Sequence, residues 1–257
     1  MFVNKKMRTL MLGLVVLVAL ALASCAAPSP SPTAEAIVSP TPLPEATAPE
    51  VMRVDEEGNT FVEPEPLATA VAQYPVGTLT EEEIDGLLYM REEEKLARDV
   101  YLTLYQQWDL QIFQNIARSE QTHTDAVKTL LGRYGLDDPA AGNDIGVFTN
   151  PDLQALYDQL VDLGSQSLAD ALRVGAAIEE IDILDLEERI VQTDKEDIQL
   201  VYENLMMGSR NHLRAFTSTL ETQTGETYQP QYLSQEVYEA IVSQPVERGG
   251  RGGPNRP

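Results

Sequence analysis

Residues 80–134 read TEEEIDGLLYMREEEKLARDVYLTLYQQWDLQIFQNIARSEQTHTDAVKTLLGRY, and the spacing in this stretch decides the fold. Thr80 followed by Glu83 is a capping box, and Glu81 and Glu82 suit the positive end of a helix. From there to about Gln107 no proline intervenes, and Leu87, Met90, Glu94, Ala97, Tyr101 and Leu104 recur at steps of three and four. That spacing marks one buried helical face. Trp108-Asp109-Leu110 is a short break, so a second helix over Gln111–Tyr134 is predicted to return antiparallel beside the first. Its inner stripe is Phe113, Ile116, Glu120, His123, Val127 and Leu130, and Gly135 stops it.

Downstream, a loop with Asp137-Asp138-Pro139, Gly142, Gly146 and Asn150-Pro151 leads into a brief helix over 152–163. A third long helix is predicted over Leu168–Gln192, with Leu172, Ala176, Glu179, Ile183, Leu186 and Ile190 inward. Thr193-Asp194 is a tight connection in which Asp194 can cap a fourth helix, reaching about Glu221. Its seam holds Ile198, Tyr202, Leu205, Ser209, His212 and Phe216. Short, long, short connections, with about 30 residues between the second and third helices, describe an all-α, ferritin-like four-helix bundle with one long crossover. The four-helix domain is placed at 78–222, followed over 223–257 by a short helix at 234–243 and a disordered Gly/Arg tail.

Residues 1–24 are not fold material. Lys5, Lys6 and Arg8 precede an apolar run of 14 residues, 10–23, shorter than the roughly 20 residues of a membrane span but suited to a signal peptide. The run ends in Leu22-Ala23-Ser24-Cys25, which resembles the bacterial lipobox. Cys25 is the sole cysteine, so an internal disulfide and thiolate metal sites are excluded, and acylation there gives an anchor. Ten of the 16 prolines lie between Ala26 and Pro75, and 25–77 reads as a disordered, lipid-anchored tether without a site. The expected location is the cell envelope, outside the cytoplasm, on the outer membrane or cell surface. The chain carries 18 Lys+Arg against 41 Asp+Glu; such a surface repels nucleic acid and draws in cations.

The long stripes are apolar except at a few positions. Glu94, Glu120, His123, Glu179 and His212 fall on seams that otherwise hold Leu, Ile, Val, Tyr and Phe, and both histidines of the chain are among them. Burying an ionised carboxylate without a partner costs several kcal/mol. Glutamates on three helices and histidines on two therefore call for a shared cation, and at about 1.5 Å rise per residue these positions converge near mid-bundle. Glu120 and His123, three apart, share one helix face. Oxygen and imidazole donors suit iron, manganese or zinc. A one-residue change of helix phase turns Glu93 inward in place of Glu94. The 92–95 run otherwise reads as a charged outer face, Glu180 as a solvated neighbour, and Tyr101 and Tyr202 as core.

Glu94-Lys-Leu-Ala97-Arg98-Asp-Val-Tyr101 is similar to the first-helix run of rubrerythrin-like proteins, and Ser119-Glu120-Gln-Thr-His123 resembles their second-helix Glu-x-x-His. Glu179-Glu180-Ile-Asp182 and Gly208-Ser209-Arg210-Asn211-His212 occupy the places of the third- and fourth-helix motifs. Residues 78–222 as a whole resemble an uncharacterised ferritin-like family of bacteria and archaea. That resemblance implies a carboxylate-bridged di-iron or similar centre ligated by Glu94, Glu120, His123, Glu179 and His212. Ser209 departs from it, standing where a fourth-helix glutamate belongs, and Asp182 is the candidate replacement. The implied activity is oxidation of ferrous iron or reduction of peroxide, in an oxidoreductase whose electrons come from a separate partner or from iron, in a chain that pairs as a homodimer. The alternatives are a metal-binding lipoprotein without turnover and a metal-free bundle whose carboxylates pair with Arg98 and Arg118.

Overall fold

The computed structural model describes residues 50–248, and seven helices and one two-stranded hairpin account for the regular structure among them. The expected signal peptide, Cys25, the first part of the expected tether and the Gly/Arg tail beyond Arg248 lie outside the described residues. Helix α2 (Glu81–Trp108) starts at the capping box: the Thr80 hydroxyl accepts from Glu83 N–H, and the Glu83 carboxylate accepts from Thr80 N–H at 2.8 Å. It ends at Asp109, whose φ of 50° lies in the left-handed region that Asp visits more readily than most residues. Helix α3 (Gln111–Tyr134) then runs back beside it and stops at Gly135, φ 69°. The crossover contains α4 (Pro151–Gly164), capped by Asn150, and delivers α5 (Leu168–Gln192), capped by Ser167. Helix α6 (Glu196–Thr224) follows. Its cap differs from the reading above: Asp194 pairs with Lys195, and the side chain accepting from Lys195 N–H is Thr193, whose hydroxyl also donates to Glu83 at 2.6 Å. A short α7 (Gln235–Val242) closes the described chain.

The long helices pack as two antiparallel hairpins, α2 on α3 and α5 on α6, joined through α2–α5 and α3–α6 contacts. The class is all-α, with little strand. The core is divided. One apolar cluster gathers Val100, Leu104, Phe113, Ile116, Leu172 and Phe216; a second gathers Leu87, Met90, Val127, Leu130, Leu186 and Leu205. Between them, at the middle of all four long helices, lies a layer of buried polar side chains. Each large apolar side chain buried contributes about 1.5–3 kcal/mol, and the two clusters are what make a polar layer in the interior tolerable.

Two expectations are corrected here. Residues 50–77 are not a featureless tether. β1 (Met52–Val54) and β2 (Thr60–Val62) form an antiparallel hairpin, followed by α1 (Pro64–Val71). Val51, Met52, Val62, Leu67 and Val71 are buried in the second apolar cluster, and β2 and α1 pack on α3 and α6. Two of the prolines that suggested a tether are Pro64 and Pro66, in the first turn of α1, where a missing N–H costs nothing. The 92–95 run is likewise not an outer face: every residue of Arg91–Ala97 is buried, because the crossover lies across it.

The charges under the crossover are satisfied by its backbone. Glu92 accepts from Thr149 N–H at 2.6 Å and Asn150 N–H at 2.8 Å. Lys95 donates to the carbonyls of Asp144 and Val147 and pairs with Asp99, which in turn accepts from Gly146 N–H. Arg91 holds Asp138 through two nitrogens. Buried backbone groups must find partners, and these side chains provide them. Glu92→Ala orphans two N–H groups at once, and we expect a loss of about 2–3 kcal/mol. In urea this lowers the unfolding midpoint at unchanged slope, and proteases should cut first within 139–150; an unaltered midpoint would show that the crossover is held elsewhere.

Candidate metal centre

The polar layer brings together Glu94 of α2, Glu120 and His123 of α3, Glu179 and Asp182 of α5, and His212 of α6, all buried. Glu120 is its hub. Its Oε2 lies 2.9 Å from His123 Nδ1 and its Oε1 2.7 Å from His212 Nδ1. Glu94 Oε2 stands 3.5 Å from His123 Nδ1, and Glu179 Oε2 stands 3.5 Å from His212 Nδ1. The imidazoles stack at 5.5 Å between centroids and 20° between planes. The result is a near-symmetric series: carboxylate, imidazole, shared carboxylate, imidazole, carboxylate. Glu120, His123 and His212 each offer a ligand atom within 4.8 Å of the others. Tyr101 donates to Glu179 Oε1 at 2.5 Å, so this core tyrosine also orients a site carboxylate. Ser209 donates to Asp182 Oδ2.

Hydrogen bonds on the far side of the rings determine which nitrogen faces the carboxylates. Ser119 Oγ donates to the carbonyl of Thr60, so its single proton is committed. The 2.9 Å contact between Ser119 Oγ and His212 Nε2 is therefore Nε2–H donating to oxygen. A neutral His212 then carries its lone pair on Nδ1, aimed at Glu120 and Glu179. That Nδ1 has no hydrogen-bond partner despite its 2.7 Å approach to Glu120, and neither do the two oxygens of Glu94. Lone pairs facing lone pairs in a dry interior require a cation between them. Thr60 Oγ1 spans both rings, 3.1 Å from His212 Nε2 and 3.4 Å from His123 Nε2.

Protonation follows the same logic. Burial pushes the Glu94 carboxyl up to about 8 against the pull of His123, and burial also raises Glu179 and Asp182. For Glu120 burial is outweighed: the two histidines hold its carboxyl well below the usual range. Burial opposes protonation of the rings, but Glu120 wins, raising His123 and bringing His212 up to about 9. Protons thus take the cation's place when no metal is bound, and a metal ion entering here displaces them. Four carboxylates and two imidazoles, with no thiolate, form a donor set that fits iron, manganese or zinc.

Several neighbours were read differently from sequence. Glu180 is buried rather than solvated, and its Oε2 accepts from the N–H groups of Gln231, Tyr232 and Leu233, anchoring the chain ahead of α7. Arg98 pairs with Asp99 and Gln121, and Arg118 with Asn115 and the Gln114 carbonyl, so neither neutralises the polar layer. Glu93 and Glu94 are both buried, and Glu94 is the one beside His123. Thr60 had no place in the sequence reading, and Ser119 and Gly208 stood there only as members of quoted motifs, without a role of their own. Gly208 had a signal: a glycine inside a helix costs about 1 kcal/mol relative to alanine and marks close approach. A Cβ there would lie 2.5 Å from His123 Cε1 and 2.8 Å from Thr60 Oγ1.

Comparison with known proteins matches residues 83–245 to the family described as Uncharacterized protein domain (DUF2202). The chain is 58% identical over 179 residues to uncharacterized protein MJ0754 of the archaeon Methanocaldococcus jannaschii, spanning 70% of this chain and 96% of that protein. The crystal structure of hypothetical protein MJ0754 superposes with a TM-score of 0.66 at 59% identity, covering 67% of this chain and 98% of that one. All six metal-ligand candidates lie inside the matched segment, whereas Thr60 precedes it.

Proposed function

The chain belongs to the DUF2202 family, and from that premise we propose that it is a ferritin-like, extracytoplasmic metalloprotein whose central layer holds two transition-metal ions, iron foremost. One observation carries the reading: Glu120 sits between two imidazole Nδ1 atoms, each flanked on its other side by a carboxylate of a different helix. Glu94 and His123 would serve one ion, Glu179 and His212 the other, and Glu120 would bridge. Asp182, held by Ser209, supplies the fourth negative charge, so four carboxylates neutralise two divalent cations. Bound iron would supply the redox chemistry for oxidising ferrous iron with dioxygen or reducing peroxide. The protein's own part is to orient Glu179 through Tyr101, to aim both imidazoles through Thr60 and Ser119, and to keep water out with the apolar clusters on either side. The lipobox-like stretch ending at Cys25 supports a lipid-anchored location at the membrane surface, and a second copy is the proposed partner.

Ser209 favours a second reading, binding without turnover, because it stands where the resemblance expects a carboxylate donor on the fourth helix. Metal analysis of the purified full chain, followed by anaerobic loading with ferrous iron and addition of oxygen or peroxide, separates the possibilities. We expect about two ions per chain and iron oxidation faster than in protein-free buffer. Stoichiometric iron oxidised no faster than in buffer would select the second reading, and a chain that takes up no transition metal would exclude both.

A further inference from the structure

The acids and imidazoles of the centre are at most 6% exposed, so an ion reaches them only when part of the cover moves. The two helix hairpins meet along two seams. Along α2–α5 the cover is α4 with the rest of the crossover, fixed by the Arg91, Glu92 and Lys95 contacts described above. Along α3–α6, the sparsest of the contacts between the long helices, the cover is the β1–β2 hairpin with α1. It is this second cover that touches the ligand candidates, through Thr60 Oγ1 at 3.1 Å from His212 Nε2 and 3.4 Å from His123 Nε2. The hairpin is thin and unevenly held. It has three residue pairs, and a two-stranded hairpin left to itself is marginal in water. At its base Met52 pairs with Val62, and both are buried in the second apolar cluster. Toward its tip Thr60 is held to α3 by one hydroxyl: its N–H donates to Ser119 Oγ at 3.2 Å, and its carbonyl accepts from the same group.

The far end of the described chain closes over that tip. Gly58, at φ 89°, faces Val246, and a Cβ there would lie 3.2 Å from a Val246 methyl. Arg248 Nη1 reaches the Asp55 carbonyl at 3.5 Å. Between these two contacts Glu247 is clamped to α6. Arg210 donates to its carboxylate from Nε at 2.8 Å and Nη2 at 2.6 Å, and Arg214 Nη2 adds a third bond at 2.8 Å. Asn211 binds both backbone groups of Glu247, each at 2.9 Å. A carboxylate gripped by two guanidiniums is a strong and directional anchor. We propose that the β1–β2 hairpin is the gate by which divalent cations enter the Glu/His layer, hinged at Met52 and Val62 and latched by residues 246–248. The imidazoles are its inner leaf, with Nδ1 toward the acids and Nε2 toward Thr60. Lifting Thr60 removes the contact at His123 Nε2, and Gly208, having no side chain, leaves the vacated space to the ring. His123 then swings aside to admit the ion and returns as a ligand when the hairpin closes. The gate rests on the metal-binding reading above.

The test follows Mn²⁺ uptake and release by the full chain. Gly58→Cys with Val246→Cys, in a Cys25→Ser background, supplies a lock: a Cβ at 58 lies 3.9 Å from Val246 Cβ, close to the spacing of about 3.8 Å in a disulfide. The oxidised protein should load Mn²⁺ at least about tenfold more slowly than the same protein after reduction, and reach the same final content. Glu247→Gln tests the latch from the other side and leaves Gly58 in place. It should speed both entry and exit on the order of tenfold, the factor given by losing one charge-assisted hydrogen bond. The Kd for Mn²⁺ should stay unchanged, because a gate alters both rates together. Oxidised and reduced proteins that load at one rate overturn the gate and leave the metal centre standing. Uptake by none of the proteins, wild type included, removes the centre and the gate with it. A Glu247→Gln protein with a weaker Kd and unaltered entry overturns the latch and makes Glu247 a support for His212 through α6.

Discussion

Glu120→Gln empties the centre of both ions, whereas His123→Ala leaves at most about one per chain. The difference follows from position. Glu120 is the carboxylate that reaches both rings, Oε2 toward His123 and Oε1 toward His212, while each histidine touches one flanking glutamate. The amide of Gln keeps the shape and hydrogen-bonding capacity of the side chain, but it removes the negative charge and offers one acceptor where there were two. Losing an outer partner of a ligand already costs 10–100-fold in affinity, so losing a shared direct ligand should cost at least about 100-fold for each ion. Folding is not the obstacle, since Gln leaves no cavity and buries no new charge. The readout is metal per chain after dialysis against a weak chelator. Glu120→Gln protein with wild-type metal content would show that the carboxylate bridges protons, not metal ions.

How much of this was legible depends on which question a residue answers. The α2–α3 hairpin was legible because capping and periodicity are local: Thr80 and Glu83 are three apart, and Gly135 follows the last apolar turn directly. Glu94, Glu120, His123, Glu179 and His212 were legible because a charged or imidazole side chain on an apolar stripe contradicts its surroundings, whereas Asp182 entered only through the family resemblance. What periodicity cannot state is how many sides of a helix are covered. Seven consecutive residues of α2, Arg91–Ala97, are buried, since α3 and α5 cover its inner faces and the crossover covers the outer one. Glu92 and Lys95 therefore read as solvated when they are anchors for loop backbone 49–58 residues away in sequence. Thr60 was illegible for a related reason. Its role depends on rings 63 and 152 residues downstream, and the composition around it, averaged over many prolines, hides the few apolar residues that fold the hairpin. Glu93 lay between these cases: the question was which of two neighbouring acids faces inward, and both do.

Gly208→Ala is expected to cost the protein much of its metal while changing stability by far less than a core clash would suggest. Alanine gains about 1 kcal/mol in helix propensity over glycine, and overpacking a filled interior costs about 1–3 kcal/mol, so the net cost is about 0–2 kcal/mol. The ring receives the strain. A Cβ at 208 lies 2.5 Å from His123 Cε1, 2.9 Å from its Nε2 and 2.8 Å from Thr60 Oγ1. His123 is fully buried, with Glu120 at its Nδ1 and the His212 ring stacked nearby, so it yields only by rotating Nδ1 off its aim. Metal affinity is steep in ligand direction, and a loss of about 10–100-fold follows, of the size seen when a ligand's supporting contact is removed. Gly132→Ala provides the control: nothing lies within 4 Å of a Cβ there, so the propensity term stands alone. It should raise stability by up to about 1 kcal/mol with metal binding unchanged. Thermal unfolding with and without metal reads both quantities, since ligand binding adds to the apparent stability as the logarithm of its affinity at a fixed metal concentration. A Gly208→Ala protein that unfolds later and keeps its ions would mean that His123 does not rest against α6, and the aim of its Nδ1 would need another cause.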